Sequence, residues 1–182
     1  MIASKAIYLF PTAMEASSFQ ALMPDAEVVI SGVGMVATSA TLVCLWAEGR
    51  IDRESLVVLS GVAGSYDECV AKGEVVEVVE ERCIELPERF RTNYTVPKRS
   101  ALRGVVSNSV HRSGAECCGA EVENMEGASL FALAEVLGFR AMEIRAISNI
   151  VGEPFHSWRM EEAVESLARV LIEINEEMIC YE

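Results

Sequence analysis

Arg145 stands inside an apolar run, residues 139–147, two positions after Glu143 and so on the same face of a strand. Burying a guanidinium there is expensive without a carboxylate or a ligand as partner. Pairing with Glu143 would satisfy it, and so would a substrate. A second feature is Glu123-Asn-Met-Glu126, which puts Glu126 in the first turn of a small-residue helix. A carboxylate there can serve the helix dipole or face a ligand. Four further stretches each follow an apolar run: Pro11-Thr-Ala-Met-Glu15, Ser31-Gly-Val-Gly34, Gly61-Val-Ala-Gly64 and Ser148-Asn149. In α/β folds ligands lie beyond the carboxyl ends of the strands, so these stretches would converge on one crevice. Glycine there lets backbone approach a ligand closely, and equally makes a tight strand-to-helix turn. No third Gly falls at dinucleotide-fingerprint spacing and no Gly-Lys-Ser/Thr occurs, which excludes both common phosphate loops.

The elements that must position these residues are short apolar runs separated by helical stretches. Residues 7–10, 28–30, 56–59 and 139–147 read as buried strands, and residues 104–106 as a weaker one. Residues 75–79 alternate with Glu and read as a half-buried strand. Residues 35–46 are small or apolar without a breaker, which predicts a buried helix running to Gly49. Asn124 reads as the N-cap of a helix that Gly138 stops. A last helix is expected from about Trp158, with Val164, Leu167, Ala168, Leu171, Ile174 and Met178 as its apolar stripe. Its Glu161, Glu162, Glu165, Glu173, Glu176 and Glu177 form a solvated face. The alternation predicts one α/β domain over residues 1–182, with a mixed central sheet flanked by helices. His111 and His156 read as surface loop residues, although His156 could line a pocket with Phe155 and Trp158.

Fifteen Lys and Arg against 28 Asp and Glu leave a net charge of −13 on 182 residues, 51% of them hydrophobic. So apolar a chain is not disordered. So acidic a chain makes a poor partner for nucleic acid or an anionic membrane. No run reaches the roughly 18 apolar residues of a spanning helix. Residues 1–10 carry one lysine and no cleavage pattern, so no signal peptide is expected and the cytoplasm is the expected compartment. Cys44, Cys69, Cys83, Cys117, Cys118 and Cys180 form no Cys-x-x-Cys pair and the histidines lie apart, so no metal site is expected. The adjacent Cys117 and Cys118 read as ordinary thiols. Residues 82–112 differ from the rest. Seven basic residues there face only Glu85 and Glu88, a local charge of +5, and Pro87, Pro97 and the absence of periodicity read as loop. Such a loop would face an anion or another subunit.

Taken in chain order, Asn124-Met-Glu-Gly-Ala128 followed by Ile144-Arg-Ala-Ile-Ser-Asn149 resembles the nucleoside phosphorylase/nucleosidase superfamily. Within it, Pro11-Thr-Ala-Met-Glu15, Gly61-Val-Ala-Gly-Ser65 and Ser148-Asn149-Ile-Val-Gly152 with Trp158 are most similar to the futalosine hydrolases, which remove hypoxanthine from futalosine in menaquinone synthesis. The likeness runs along almost the whole chain and thins over residues 82–119. It implies a homo-oligomeric N-glycosyl hydrolase acting on a small purine nucleoside without metal or organic cofactor. By that resemblance the catalytic residues would be Glu15, holding or activating water, Arg145, helping to place it, and Asn149, reading the base. Asp stands at that last position in methylthioadenosine/S-adenosylhomocysteine nucleosidases. Asn124, Met125 and Glu126 would clamp the ribose, with Gly61, Ala63, Gly64, Ser148, Phe155 and Trp158 completing the implied binding set.

The chemistry fits the residue types. Breaking an N-glycosidic bond builds positive charge on the ribose and negative charge on the departing purine. Carboxylates near the sugar stabilise the first, and a donor at purine N7 and O6 stabilises the second. An amide donates there but delivers no proton, which suits hypoxanthine, although Asn also reads adenine. Phosphorylases of the superfamily gather phosphate with arginines on the first loop and ahead of the Gly-rich turn. Here the first loop has no Arg or Lys, Leu59 holds the second place, and Val62 stands where a Ser often lies. Water is therefore the expected nucleophile. The alternatives are a methylthioadenosine/S-adenosylhomocysteine nucleosidase, a phosphorylase, or a nucleoside-binding module without catalysis. Futalosine carries a carboxylate, for which the +5 segment is the expected receiver.

Overall fold

Alternation along the first strand sets up two cores. In the computed structural model, which describes residues 6–68 and 70–180, β1 (Ala6–Phe10) turns Ile7 and Leu9 to one helical layer and Tyr8 and Phe10 to the other. The first layer is α2 (Met35–Ala47) and α3 (Gly127–Leu137), which supply Leu42, Leu45, Leu130 and Phe131. The second is α1 (Ala13–Leu22) and α4 (Met160–Cys180), which supply Phe19, Leu167, Leu171 and Ile174. Phe19 packs its ring against Tyr8 and Phe10 at centroid distances of 4.6 and 5.8 Å.

β2 (Glu27–Ile30), β1 and β3 (Leu56–Ser65) run parallel side by side. From β3 the sheet closes on itself. β3 pairs parallel with β8 (Arg140–Ile150), β8 antiparallel with β4 (Val75–Arg82), and β4 parallel with β6 (Gly104–Ser109). β6 then pairs parallel with β7 (Val122–Asn124), and β7 returns antiparallel to β3. β5 (Asn93–Thr95) lies on β4 at the outside. The mixed sheet flanked by helices is present, and part of it is rolled into a barrel.

Several local expectations are corrected. β3 and β8 run on through residues 61–64 and 148–149, which are strand and not turn; their pairing continues to Ser65 and Ile150 past one irregularity at Ala63/Gly64. β4 is longer than residues 75–79 and is not half-solvated: Glu77 and Glu81 are fully buried because β8, β6 and β5 cover it. Glu77 is satisfied by the backbone N–H groups of Arg99 and Ser100 and by the Ser100 hydroxyl. Residues 82–112 are only partly loop, since β5 and the interior strand β6 lie within them. The helix at residues 35–46 is not buried: Thr38, Leu42 and Leu45 face the sheet, while Val36 is 79% exposed. Asn124 ends a strand, and α3 starts at Gly127 with Glu126 in the cap position. Asn124 still caps it from β7, its Oδ1 accepting the N–H groups of Glu126 and Gly127 at 2.8 Å.

α4 begins at Met160 and buries Val164, Leu167, Ala168, Leu171 and Ile174 as the stripe requires. The side chains of Glu177 and Met178, residues 1–5 and Cys69 lie outside the described residues. Cys44, Cys83, Cys117 and Cys118 are free thiols. No described helix is long and apolar enough to cross a membrane.

Candidate active site

The ends of β1, β3, β7 and β8 bring most of the singled-out residues to one cavity of about 320 Å³. Glu15 enters from the first turn of α1, which Thr12 caps. The Thr12 hydroxyl donates to Glu15 Oε2 at 2.6 Å, and the Val62 N–H donates to Oε1 at 3.0 Å. The carboxylate is thereby fixed at the cavity wall. Val62, Ala63 and Gly64 of β3 form the neighbouring wall.

Arg145 lies behind that wall and does not border the cavity. Met142, Ile144 and Ala146 go to the α1/α4 core, so Glu143 and Arg145 point the other way along β8. The guanidinium donates through Nε to Glu143 Oε1 at 2.8 Å, and through Nη2 to Asn124 Oδ1 at 2.9 Å and Glu126 Oε2 at 3.3 Å. Nη1 reaches the Val62 carbonyl at 3.4 Å. Of the two partners considered for Arg145, a carboxylate and a substrate, the carboxylate Glu143 is the one in contact, and the guanidinium also braces two residues that line the cavity. Burial works against its charge, but Glu143, Glu126 and Glu15 outweigh that and raise its pKa further.

Gly61 is also behind the wall. A Cβ there would stand 2.7 Å from Arg145 Nη1 and 2.8 Å from Glu15 Oε1, so only a residue without a side chain lets both groups pass. Glu126 faces the cavity, with Oε1 accepting the Gly34 N–H at 2.9 Å. Gly34 has φ +94°, a conformation that favours glycine, and the Ser31–Gly34 turn is thus tied to the start of α3. Asn124 and Met125 line the cavity beside it.

Ser148 and Asn149 line the cavity from β8, next to Gly64. The Ser148 hydroxyl donates to Asn149 Oδ1 at 2.8 Å, and Asn149 Nδ2 donates to the Ile150 carbonyl at 3.1 Å. This leaves one amide hydrogen for a ligand. Phe155 and Trp158 lean on each other at 5.2 Å over the mouth. Their loop is anchored where Glu153 meets Lys72 at 2.6 Å and accepts the Ile150 N–H. His156 and His111 do not border the cavity.

Sequence reasoning missed Glu123, Ser113 and Val110, which also line it. Glu123 accepts the hydroxyls of Ser113 and Tyr66 and the Gly114 N–H. Burial pushes the Tyr66 phenol well up, and the Glu123 charge adds to the rise. The signal was present in the Glu123-Asn-Met-Glu126 motif, where two carboxylates straddle the strand end. It also missed Glu81, buried behind Glu126. An acid inside an apolar strand is the same signal that singled out Arg145.

The +5 segment reaches the cavity only through the apolar Val110, and none of its basic side chains lines it. Arg82 pairs with Glu80, Arg103 with Glu74 and Glu121, and Arg99 donates to the Ala141 carbonyl. Arg82 and Arg103 are thereby spent on neighbouring acids, and no Lys, Arg or His among the described residues lines the cavity. No group of three or more His, Cys, Asp or Glu among the described residues is arranged to hold a metal ion. The cavity instead combines three carboxylates, Glu15, Glu123 and Glu126, with one free amide donor and an apolar, partly aromatic wall. Such a set can hold hydroxyls and water and stabilise a developing cation.

No family model matches the chain. A stretch of 55 residues is 46% identical to the futalosine hydrolase of Thermus thermophilus, covering 29% of this chain and 24% of that protein. The chain thus matches about a quarter of the curated relative's length. Solved structures match along the whole fold. A 5′-methylthioadenosine/S-adenosylhomocysteine nucleosidase from Helicobacter pylori superposes with a TM-score of 0.83 at 15% identity, over 97% of this chain and 100% of that one. A futalosine hydrolase mutant from Helicobacter pylori gives 0.79 at 14% identity, over 96% and 99%. The chain has the fold that these two nucleosidases share.

Proposed function

We propose that this protein is a purine nucleoside N-ribohydrolase. The observation that carries the reading is that Glu15, Glu126 and Asn149 line a single cavity, with Glu15 and Glu126 both facing Arg145 and the Asn149 amide beside Gly64. In this reading the ribose hydroxyls donate to Glu126, already held by Gly34 and Arg145 on its far side. Glu15 holds the attacking water and takes its proton as the bond to the anomeric carbon forms. Positive charge gathered on the ribose meets two carboxylates, and the departing purine accepts a hydrogen bond from Asn149. Phe155 and Trp158 cover the bound nucleoside and exclude water from the wrong face.

Water is preferred to phosphate because no cation lines the cavity among the described residues and Arg145 is engaged on all sides. Within this class we read futalosine as the substrate, supported by the Asn149 amide and by the 46% identical stretch. A thioether nucleoside, which carries no carboxylate of its own, is the second reading, favoured by that same absence of a basic lining residue. The reading extends to a cytoplasmic homo-oligomer, for which the exposed Val36 and Val43 of α2 offer an apolar face. Incubating the protein with futalosine, inosine and methylthioadenosine, with and without phosphate, and measuring free base separates these readings. Release from methylthioadenosine alone removes futalosine. Release only with phosphate removes hydrolysis, and no release leaves a binding module.

A further inference from the structure

Behind the cavity two more carboxyl groups meet in the buried interior. Glu81 of β4 and Glu143 of β8 are both fully buried. Their oxygens converge on the backbone of Gly127, so closely that a Cβ at that position would collide with both groups. Glu81 accepts the Ser109 hydroxyl at 2.7 Å and an Asn124 amide hydrogen. Glu143 Oε1 accepts Arg145 Nε at 2.8 Å, but Glu143 Oε2 finds no donor when both groups are ionised. Two carboxylates converging on one backbone position without solvent exposure, one with an oxygen that no protein donor reaches, are a costly arrangement. A proton between them supplies the missing donor and removes the repulsion.

We propose that Glu81 and Glu143 hold one proton between them and act as a single buried anion that positions Arg145 for the site. The negative charge stays on Glu143, against the guanidinium, and Glu81 carries the proton. Arg145 then has one full countercharge on Nε, and Nη2 is free to brace Glu126 and Asn124. Were both carboxyls ionised, the second charge would compete with Glu126 for the same guanidinium. The charged and titratable groups facing the pair are Arg145 on β8, Glu126 at the start of α3 and Cys83 just past β4, with Ser109 and Asn124 as neutral donors. Burial and the neighbouring Glu143 charge raise the Glu81 carboxyl well above the ordinary range. Asn124 links the two levels, since it donates to Glu81 and accepts from Arg145. These are positioning residues, and their kinetic consequence rests on the ribohydrolase reading, whereas the shared proton does not.

The test is infrared difference spectroscopy on the whole protein, joined to kcat and KM against pH. The wild type is expected to show the carbonyl stretch of a protonated carboxylic acid at neutral pH. Glu81→Gln removes that band because the amide replaces the acid, and Glu143→Gln removes it because Glu81 then carries the charge alone. In Glu81→Gln the alkaline fall of kcat moves to higher pH, with kcat retained at least threefold better than wild type there and KM little changed. A wild type without the band at neutral pH overturns the proposal, as does a band that survives in both variants. An alkaline limb unmoved in Glu81→Gln overturns the positioning role. If no nucleoside releases base, the function reading fails while the band still decides the proton.

Discussion

Glu126 and Arg145 form an ion pair of 3.3 Å in which neither side chain is more than 4% exposed. The pair connects a residue that lines the cavity to one that does not. Its charge is not screened by water, so it fixes the carboxylate rigidly. Glu126→Gln keeps the shape and the Gly34 contact but removes the charge facing the ribose. We expect kcat/KM to fall by roughly 10²- to 10³-fold, the scale of losing one preorganised electrostatic contact. Arg145 retains Glu143, so the variant should fold, and steady-state kinetics beside a thermal melt will check both points.

Glu15→Gln separates binding from chemistry. The amide oxygen can still accept the Val62 N–H, so the wall keeps its geometry. A neutral amide cannot take a proton from water. Base release should fall by about 10²- to 10⁴-fold, the usual contribution of a general base, while calorimetry with a nucleoside shows binding retained. Unchanged turnover would remove Glu15 from the mechanism.

Gly61→Ala tests the close passage of two site residues over one backbone position. Its Cβ would lie 2.7 Å from Arg145 Nη1, 2.8 Å from Glu15 Oε1 and 3.2 Å from Pro11 Cδ. Neither polar group can move aside cheaply, because each is held by its own hydrogen bonds. We expect a loss of about 1–3 kcal/mol in stability, the cost of overpacking, together with a larger loss of activity. Chemical denaturation and base-release assays give the two numbers.

Much of this architecture was legible in the residues. The alternation of β1, the stripe of α4 and the Arg145/Glu143 pair each follow from period and burial cost. What could not be read were long-range closures. Nothing local says that residues 61–64 continue a strand, because glycines look like a turn until the side chains that fill their space are known. Nothing local draws residues 104–109 into the interior, since that depends on β4 and β7 flanking them. Two arginines of that segment looked like an anion receiver for the same reason: Arg103 meets Glu74 and Glu121, and Arg99 meets the Ala141 carbonyl, all from other parts of the chain.

Tyr8 gives a pH-dependent test of the core. Burial pushes its phenol up to about 12, and its hydroxyl donates to Asn175 Oδ1 at 3.0 Å. A folded-state value above the unfolded one means that the native protein holds the proton more tightly. That stability is complete below pH of about 10 and is lost as pH rises toward 12, by up to about 1.4 kcal/mol per unit. Tyr8→Phe should cost roughly 1 kcal/mol at neutral pH through the lost hydrogen bond. It should also flatten the alkaline decline, leaving the share due to Tyr66. Unfolding curves near pH 8 and 11 compare the two slopes.

Asn149→Asp asks how the base is chosen. The Asn149 side chain is held by the Ser148 hydroxyl on one atom and by the Ile150 carbonyl on the other, with Gly64 leaving room beside it. The amide offers its remaining hydrogen to a purine and suits the paired N7 and O6 acceptors of hypoxanthine. A carboxylate has no hydrogen to give until it is protonated. It would instead accept from a 6-amino group and, once protonated, pass a proton to N7. Base release from 6-oxopurine nucleosides should therefore fall in Asn149→Asp, and the ratio of 6-amino to 6-oxo turnover should rise by about tenfold, the scale of 1–3 kcal/mol for one two-point contact to a base edge. The variant's rate on 6-aminopurine nucleosides should also fall at high pH, where the introduced carboxyl group loses its proton. Parallel assays on inosine and adenosine across pH measure both effects, and an unchanged ratio would take base selection away from residue 149.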